Sequence, residues 1–313
     1  MADLQLKGLG VALVTPFNSD KSVDFDALRR MVEYVVSGNA DYIVVLGTTG
    51  ETPTLFPDEK AEIRKVIIEK NAGRIPLILG VGGNSTQAVV NELKTSDFSG
   101  FSAILSVVPY YNKPSQEGLY QHYRAVADAS PLPVVLYNVP GRTGVNMTAA
   151  TTLSLARDCE NIIGIKEASG NFAQIEEIIK NKPERFEVIS GDDSITYPLM
   201  TLGAVGVISV IGNAFPMEFG RMVRLCLQGR FQEALPIHWR FNELFNLLFV
   251  DGNPAGVKCT LHALGLIKNE LRLPLVPTRM STDEKIRKLL GSLYITSPEE
   301  LEKGIRENST IFK

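Results

Sequence analysis

The chain has 313 residues, 44% hydrophobic and 21% charged, with a formal net charge of −3. That length fits one large barrel or two ordinary domains, either with a sizeable core. So mild an acidity gives no electrostatic case for nucleic acid or an anionic membrane surface, and no apolar run is long enough to span a bilayer. The cysteines (Cys159, Cys226, Cys259) are widely spaced, and the histidines (His122, His238, His262) lack ligand spacing. No metal is therefore expected, and a reducing compartment is the simpler inference. The N-terminus, Met-Ala-Asp-Leu-Gln-Leu-Lys, lacks the charged and apolar regions of a signal peptide, so a cytoplasmic location is expected.

In chain order, a strand is expected over 10–16, ended by Pro16, and a helix over 25–37, capped by Asp24 and stopped by Gly38. A strand over 42–47 precedes a helix over 57–71, with Pro57 first and Asp58 and Glu59 in its first turn. The pattern repeats as strand 76–82 and helix 85–96, strand 102–108 and helix 115–129, strand 133–139 and helix 148–157. The sixth strand lies in 161–169 with its helix at 172–181, the seventh at 186–191 with a helix at 195–202, and the eighth at 206–212 with a helix at 216–228. The strands are short and β-branched without polar alternation, as in a parallel sheet covered by helices. Eight such units predict an α/β fold, a (β/α)8 TIM barrel over 1–230. A doubly wound open sheet is the alternative, but no Gly-x-Gly-x-x-Gly follows the first strand. Over 231–313 the pattern turns helical, at 231–250, 254–268, 282–292 and 298–308, with a proline-broken connector at 271–277. The apolar stripe Phe241, Leu244, Phe245 and Leu248 must be covered, by the barrel or by another subunit.

In such barrels the chemistry sits at the C-terminal ends of the strands. The sixth strand, Asn161-Ile-Ile-Gly-Ile-Lys-Glu-Ala-Ser169, places Lys166 in a buried run. Desolvation disfavours the ammonium form, and a neutral amine condenses with carbonyls to a Schiff base. Alternatively Lys166 snorkels or pairs with Glu167. After strand two, Gly47-Thr-Thr-Gly-Glu51 offers backbone N–H groups and two hydroxyls, which suit a carboxylate or simply close their own loop. Pro109-Tyr-Tyr-Asn112 follows strand four, and Tyr137-Asn-Val-Pro-Gly-Arg142 follows strand five. A tyrosine beside a desolvated lysine can relay protons, and an arginine on the rim favours an anionic substrate or forms a loop ion pair. Ser190-Gly-Asp-Asp-Ser194 follows strand seven. Its acidic pair reads as a cap for the next helix rather than a Mg²⁺ site. Together these residues support Schiff-base chemistry on a small keto acid, with no cofactor fingerprint.

These motifs, with Gly164-Ile-Lys-Glu-Ala168 and Tyr137-Asn-Val-Pro-Gly-Arg-Thr-Gly144, stand in the order and spacing of the dihydrodipicolinate synthase family of pyruvate-dependent aldolases, and the resemblance runs through essentially the whole chain. It implies a lyase, without cofactor, that condenses pyruvate with L-aspartate 4-semialdehyde at the first committed step toward diaminopimelate and lysine. On that resemblance Lys166 forms the Schiff base, and Thr49, Gly191 and the backbone of Ile208 bind pyruvate. Tyr137 moves protons through Thr48 to Tyr111, which crosses from a neighbouring subunit, and Arg142 holds the carboxylate of the aldehyde. A homo-oligomer follows, a dimer at least and commonly a tetramer. Sister enzymes, N-acetylneuraminate lyase and 2-keto-3-deoxy sugar acid aldolases, remain the alternative activity, and a keto-acid sensor without turnover the alternative class. Lysine-inhibited relatives carry histidines after Gly-Glu and a glutamate after the Gly-x-Asn turn. Here those places hold Pro57, Lys60 and Ala88, while Asn84 and Tyr110 remain, so weak or absent feedback inhibition is expected.

Overall fold

The computed structural model describes residues 6–293. Eight parallel strands close into a barrel in sequence order: β1 (Gly8–Ala12), β2 (Tyr42–Val45), β3 (Leu77–Gly80), β4 (Ala103–Val107), β5 (Val134–Asn138), β6 (Ile162–Glu167), β7 (Glu187–Ser190) and β8 (Gly206–Ser209). The helices of the βα units are α1 (Phe25–Ser37), α2 (Pro57–Asn71), α3 (Thr86–Thr95), α4 (Gln116–Ala129), α5 (Pro140–Thr143), α6 (Ala149–Asp158), α7 (Phe172–Asn181), α8 (Thr196–Thr201) and α9 (Pro216–Leu227). The expected (β/α)8 barrel is the observed one, and polar side chains cap the start of five of these nine helices. Asp24 accepts from the Ala27 N–H at 2.9 Å, and Ser115 and Thr148 cap α4 and α6 in the same way.

Period-two alternation divides the core into two layers. Tyr42, Val44, Ile78, Leu105, Val135, Tyr137, Ile189 and Ile208 fill the barrel interior. The intervening strand residues, such as Ile43, Leu79, Ile104 and Leu136, pack with the apolar faces of the helices. Gly10 makes room for one interior ring: a Cβ there would lie 2.1 Å from Cε2 of Tyr42.

β1 begins two residues earlier than the expected strand, because Gly8 pairs with Gly206 of β8. Beyond Ala12, Leu13 N–H still donates to Val44 O at 3.1 Å, but Val14 N–H donates to the Asn213 side chain at 3.1 Å. A side chain thus replaces the ladder partner and ends the strand. The short α5 and the 3₁₀ turns Thr48–Gly50 and Ile211–Asn213 were not expected, being too brief for a helical period.

The C-terminal helices are α10 (Phe231–Leu247), α11 (Ala255–Ala263) and α12 (Met280–Leu293). The helix expected over 254–268 stops earlier because Gly265 turns the chain at φ +75°. Phe241, Leu244, Phe245 and Leu248 are buried, and Phe241 lies 5.1 Å from the ring of Phe215, so the barrel covers the stripe. The helix expected over 298–308 lies outside the described residues.

Candidate active site

Lys166 is 5% exposed near the end of β6. Strand register sets it opposite Tyr137 of β5, and its Nζ sits 4.2 Å from the centre of that ring. The next residue faces the other way. Glu167 Oε1 accepts from Asn138 Nδ2 and from Gln174 Nε2, each at 2.8 Å, and its Oε2 accepts from Ser169 N–H at 3.0 Å. The alternative of a Lys166–Glu167 pair is thereby removed, and among the described residues Lys166 makes no ion pair. Gly191 closes the floor: a Cβ there would fall 3.0 Å from Cε of Lys166 and 2.8 Å from Cβ of Ala168. Any side chain at 191 would displace the lysine stem.

A cavity of about 380 Å³ opens beside this pair, lined by Thr48, Tyr110, Tyr137, Arg142, Asn253 and Leu275 among others. Tyr137 belongs to both the cavity wall and the lysine contact, and so joins them. Ile208 packs with Tyr137 in the same interior cluster. Thr49 is 2% exposed under the loop, and its Oγ1 accepts from Asn253 Nδ2 at 3.1 Å. Arg142 rides on α5, exposed, and its Nη2 donates to the Asn253 carbonyl at 3.5 Å. Tyr111 is not brought into this group. It is 84% exposed at the tip of the loop after β4, with φ +75°. A bulky residue held in the left-handed region carries backbone strain of the kind that clusters at functional loops. Among the described residues no hydrogen bond joins Tyr137, Thr48 and Tyr111.

Three features escaped the sequence reading. Glu51 closes the Gly-Thr-Thr-Gly-Glu loop at φ +54° and pairs with Lys258 of α11, both side chains fully buried. Lys258 also donates to the Glu270 carbonyl at 2.9 Å and lies 4.1 Å from the Phe17 ring centre. Burial pulls the Lys258 ammonium down to about 8, against the opposing charge of Glu51. Lys166 and Lys258 are thus the two buried lysines among the described residues, and Lys258 is spent on a carboxylate and a carbonyl. The signal was present in Ala255-Gly-Val-Lys-Cys-Thr-Leu261, another apolar run broken by one lysine. The second feature is Asn253 with Pro274 and Leu275, which bring the C-terminal segment to the cavity wall. The third is the second residue of the acidic pair. Asp192 caps as expected, accepting from Ser194 N–H at 2.9 Å. Asp193 instead accepts from the N–H groups of Val210 and Ile211 at 3.0 and 2.7 Å, bracing the turn after β8. Burial pushes its carboxyl up to about 6. Among the described residues no group of three or more His, Cys, Asp or Glu could hold a metal ion.

Residues 5–293 match the model of the dihydrodipicolinate synthetase family. The 4-hydroxy-tetrahydrodipicolinate synthase of Parabacteroides distasonis is 65% identical over 295 residues, covering 94% of this chain and 99% of that one. The enzyme of the same name from Phocaeicola vulgatus is 66% identical over 295 residues, with the same coverage of 94% and 99%. A crystal structure of the chloride-inhibited dihydrodipicolinate synthase from Acinetobacter baumannii complexed with pyruvate superposes with a TM-score of 0.90 at 41% identity, covering 93% of this chain and 100% of that one. By sequence along nearly its whole length and by fold, the chain belongs to the dihydrodipicolinate synthetase family.

Proposed function

We infer that the chain condenses pyruvate with L-aspartate 4-semialdehyde to 4-hydroxy-tetrahydrodipicolinate through a Schiff base on Lys166. The observation that carries this reading is a buried lysine amine, without an ion-pair partner among the described residues, against the Tyr137 ring at the edge of the cavity. The Lys166 amine adds to the keto carbon of pyruvate and water leaves, giving the imine. Thr49, the backbone of Ile208 and the side-chain-free position at Gly191 receive the pyruvate portion. Loss of a methyl proton gives the enamine, with Tyr137 as the group that takes and returns protons. Arg142 pairs with the carboxylate of the aldehyde substrate, whose carbonyl carbon the enamine attacks. The substrate's own amine then adds to the imine carbon and displaces Lys166, closing the ring and restoring the free enzyme.

The protonic route continues through Thr48 to Tyr111 of a second copy. The exposure and strained backbone of Tyr111 support this, since the described residues of its own chain leave the side chain open to solvent. A dimer is then the smallest complete site, and a tetramer built from two such dimers is the proposed assembly. No helix among the described residues is long and apolar enough to cross a membrane, and a cytoplasmic location is proposed. The test is a coupled assay with pyruvate and aspartate semialdehyde. Product formation that disappears in Lys166→Ala is expected, and turnover of sialic acid or a keto-deoxy sugar acid alone would contradict the reading.

A further inference from the structure

We propose that Asn253, which lies in the C-terminal segment between α10 and α11, is a positioning residue that aims Thr49 and Arg142 together. The proposal rests on the reaction assigned above. Asn253 is 6% exposed, and its two functional ends serve different partners. Its Nδ2 donates to Thr49 Oγ1 at 3.1 Å, while its backbone carbonyl accepts from Arg142 Nη2 at 3.5 Å. A threonine hydroxyl has one proton to give and two lone pairs to fill. An amide N–H can only donate, so it fills a lone pair and keeps the Thr49 proton from turning toward Asn253. Among the described residues that proton has no acceptor, and in the reaction assigned above it goes to the pyruvate carboxylate. Asn253 Oδ1 is buried without a partner, so the side chain acts through its donor end. Rotating the amide would bring Oδ1 to Thr49 and consume the proton. Both substrates present carboxylates, and one residue outside the barrel thus orients the hydroxyl for pyruvate and the guanidinium for the aldehyde.

The test compares Asn253→Ala, Asn253→Asp and Thr49→Val, alone and combined, in the full-length enzyme. Asn253→Ala is expected to raise the pyruvate KM about tenfold, the loss of one oriented hydrogen bond. Asn253→Asp should raise it further, because a carboxylate takes up the Thr49 proton and repels pyruvate. In the Thr49→Val background, Asn253→Ala should change the pyruvate KM no more. The melting temperature of Asn253→Ala should stay within about 2 °C of wild type, since a residue already carrying an unpaired oxygen contributes little to stability, whereas Asn253→Asp buries a charge and is read by its KM alone. An unchanged pyruvate KM in Asn253→Ala, additive effects in the double variant, or losses that track melting temperature would overturn the proposal while wild type still forms its pyruvate adduct. Wild-type enzyme that forms no such adduct on Lys166 overturns the assigned reaction and this proposal with it.

Discussion

Gly191 leaves the space beside it to the Lys166 stem, and that makes the lysine's placement sensitive to a single methyl group. In Gly191→Ala the new Cβ would stand 3.0 Å from Cε of Lys166. A displaced nucleophile misses its attack geometry, and errors near 1 Å cost about a hundredfold in rate. A shift of a few tenths of an ångström should lower kcat about tenfold, and the closer clash with Ala168 Cβ at 2.8 Å should lower the melting temperature as well; steady-state kinetics and thermal denaturation measure the two. Residue identities also bear on regulation. On the resemblance, Pro57, Lys60 and Ala88 stand where lysine-inhibited relatives carry histidines and a glutamate, so we propose that feedback by lysine is weak or absent and that low micromolar lysine leaves the initial rate above half. Half-maximal inhibition at low micromolar lysine would contradict this. Lys166 was legible because a charge interrupts a buried strand. The Gly191 contact was not, since nothing in a sequence tells which stem a glycine makes room for.

Between elements, the loop after β2 is held by α11 through the buried Glu51–Lys258 pair. Lys258→Met removes one charge and strands the other in a dry site, which costs about 3–5 kcal/mol. Urea denaturation should register that loss, and adding Glu51→Gln should recover part of it. If Lys258→Met is as stable as wild type, the pair does not anchor the loop. A second element contact contributes to acid stability. His122 of α4, 4% exposed, bonds Thr86 of α3 through Nδ1 at 2.9 Å. Its Nε2 has no partner among the described residues, and burial holds the imidazole down to about 4. The native state therefore stays neutral while the unfolded chain takes up a proton below the ordinary value of about 6.5. Stability is full above that value and falls as pH drops toward 4, by about 3 kcal/mol in all. His122→Gln should flatten this part of a stability–pH profile, and an unaltered slope would remove His122 as its cause. Helix and strand positions were legible because each buries one periodic face. The couplings were not, since Glu51 and Lys258 lie far apart in sequence and only closure of the barrel brings them together.

For the whole molecule, the repeating strand–helix rhythm was enough to read a closed barrel. The covering of the α10 stripe by Phe215 and Phe219 needed the coordinates. So did the part the C-terminal segment plays in the cavity wall: Asn253 and Leu275 follow a pattern that reads only as turn and connector. The proposed sharing of sites between copies predicts complementation. Lys166→Ala and Tyr111→Phe chains, each deficient alone, should regain activity when unfolded together and reassembled, because some mixed sites then hold one intact lysine and one intact tyrosine. No gain over the separate variants would confine Tyr111 to its own chain. The central claim is that one amine, and not the other buried lysine, carries the substrate. Borohydride reduction of the whole enzyme with pyruvate, followed by peptide mass mapping, measures this directly. The account predicts a single reduced adduct on the peptide bearing Lys166 and none in Lys166→Ala; an adduct on Lys258, or an active enzyme that traps no pyruvate, would contradict it.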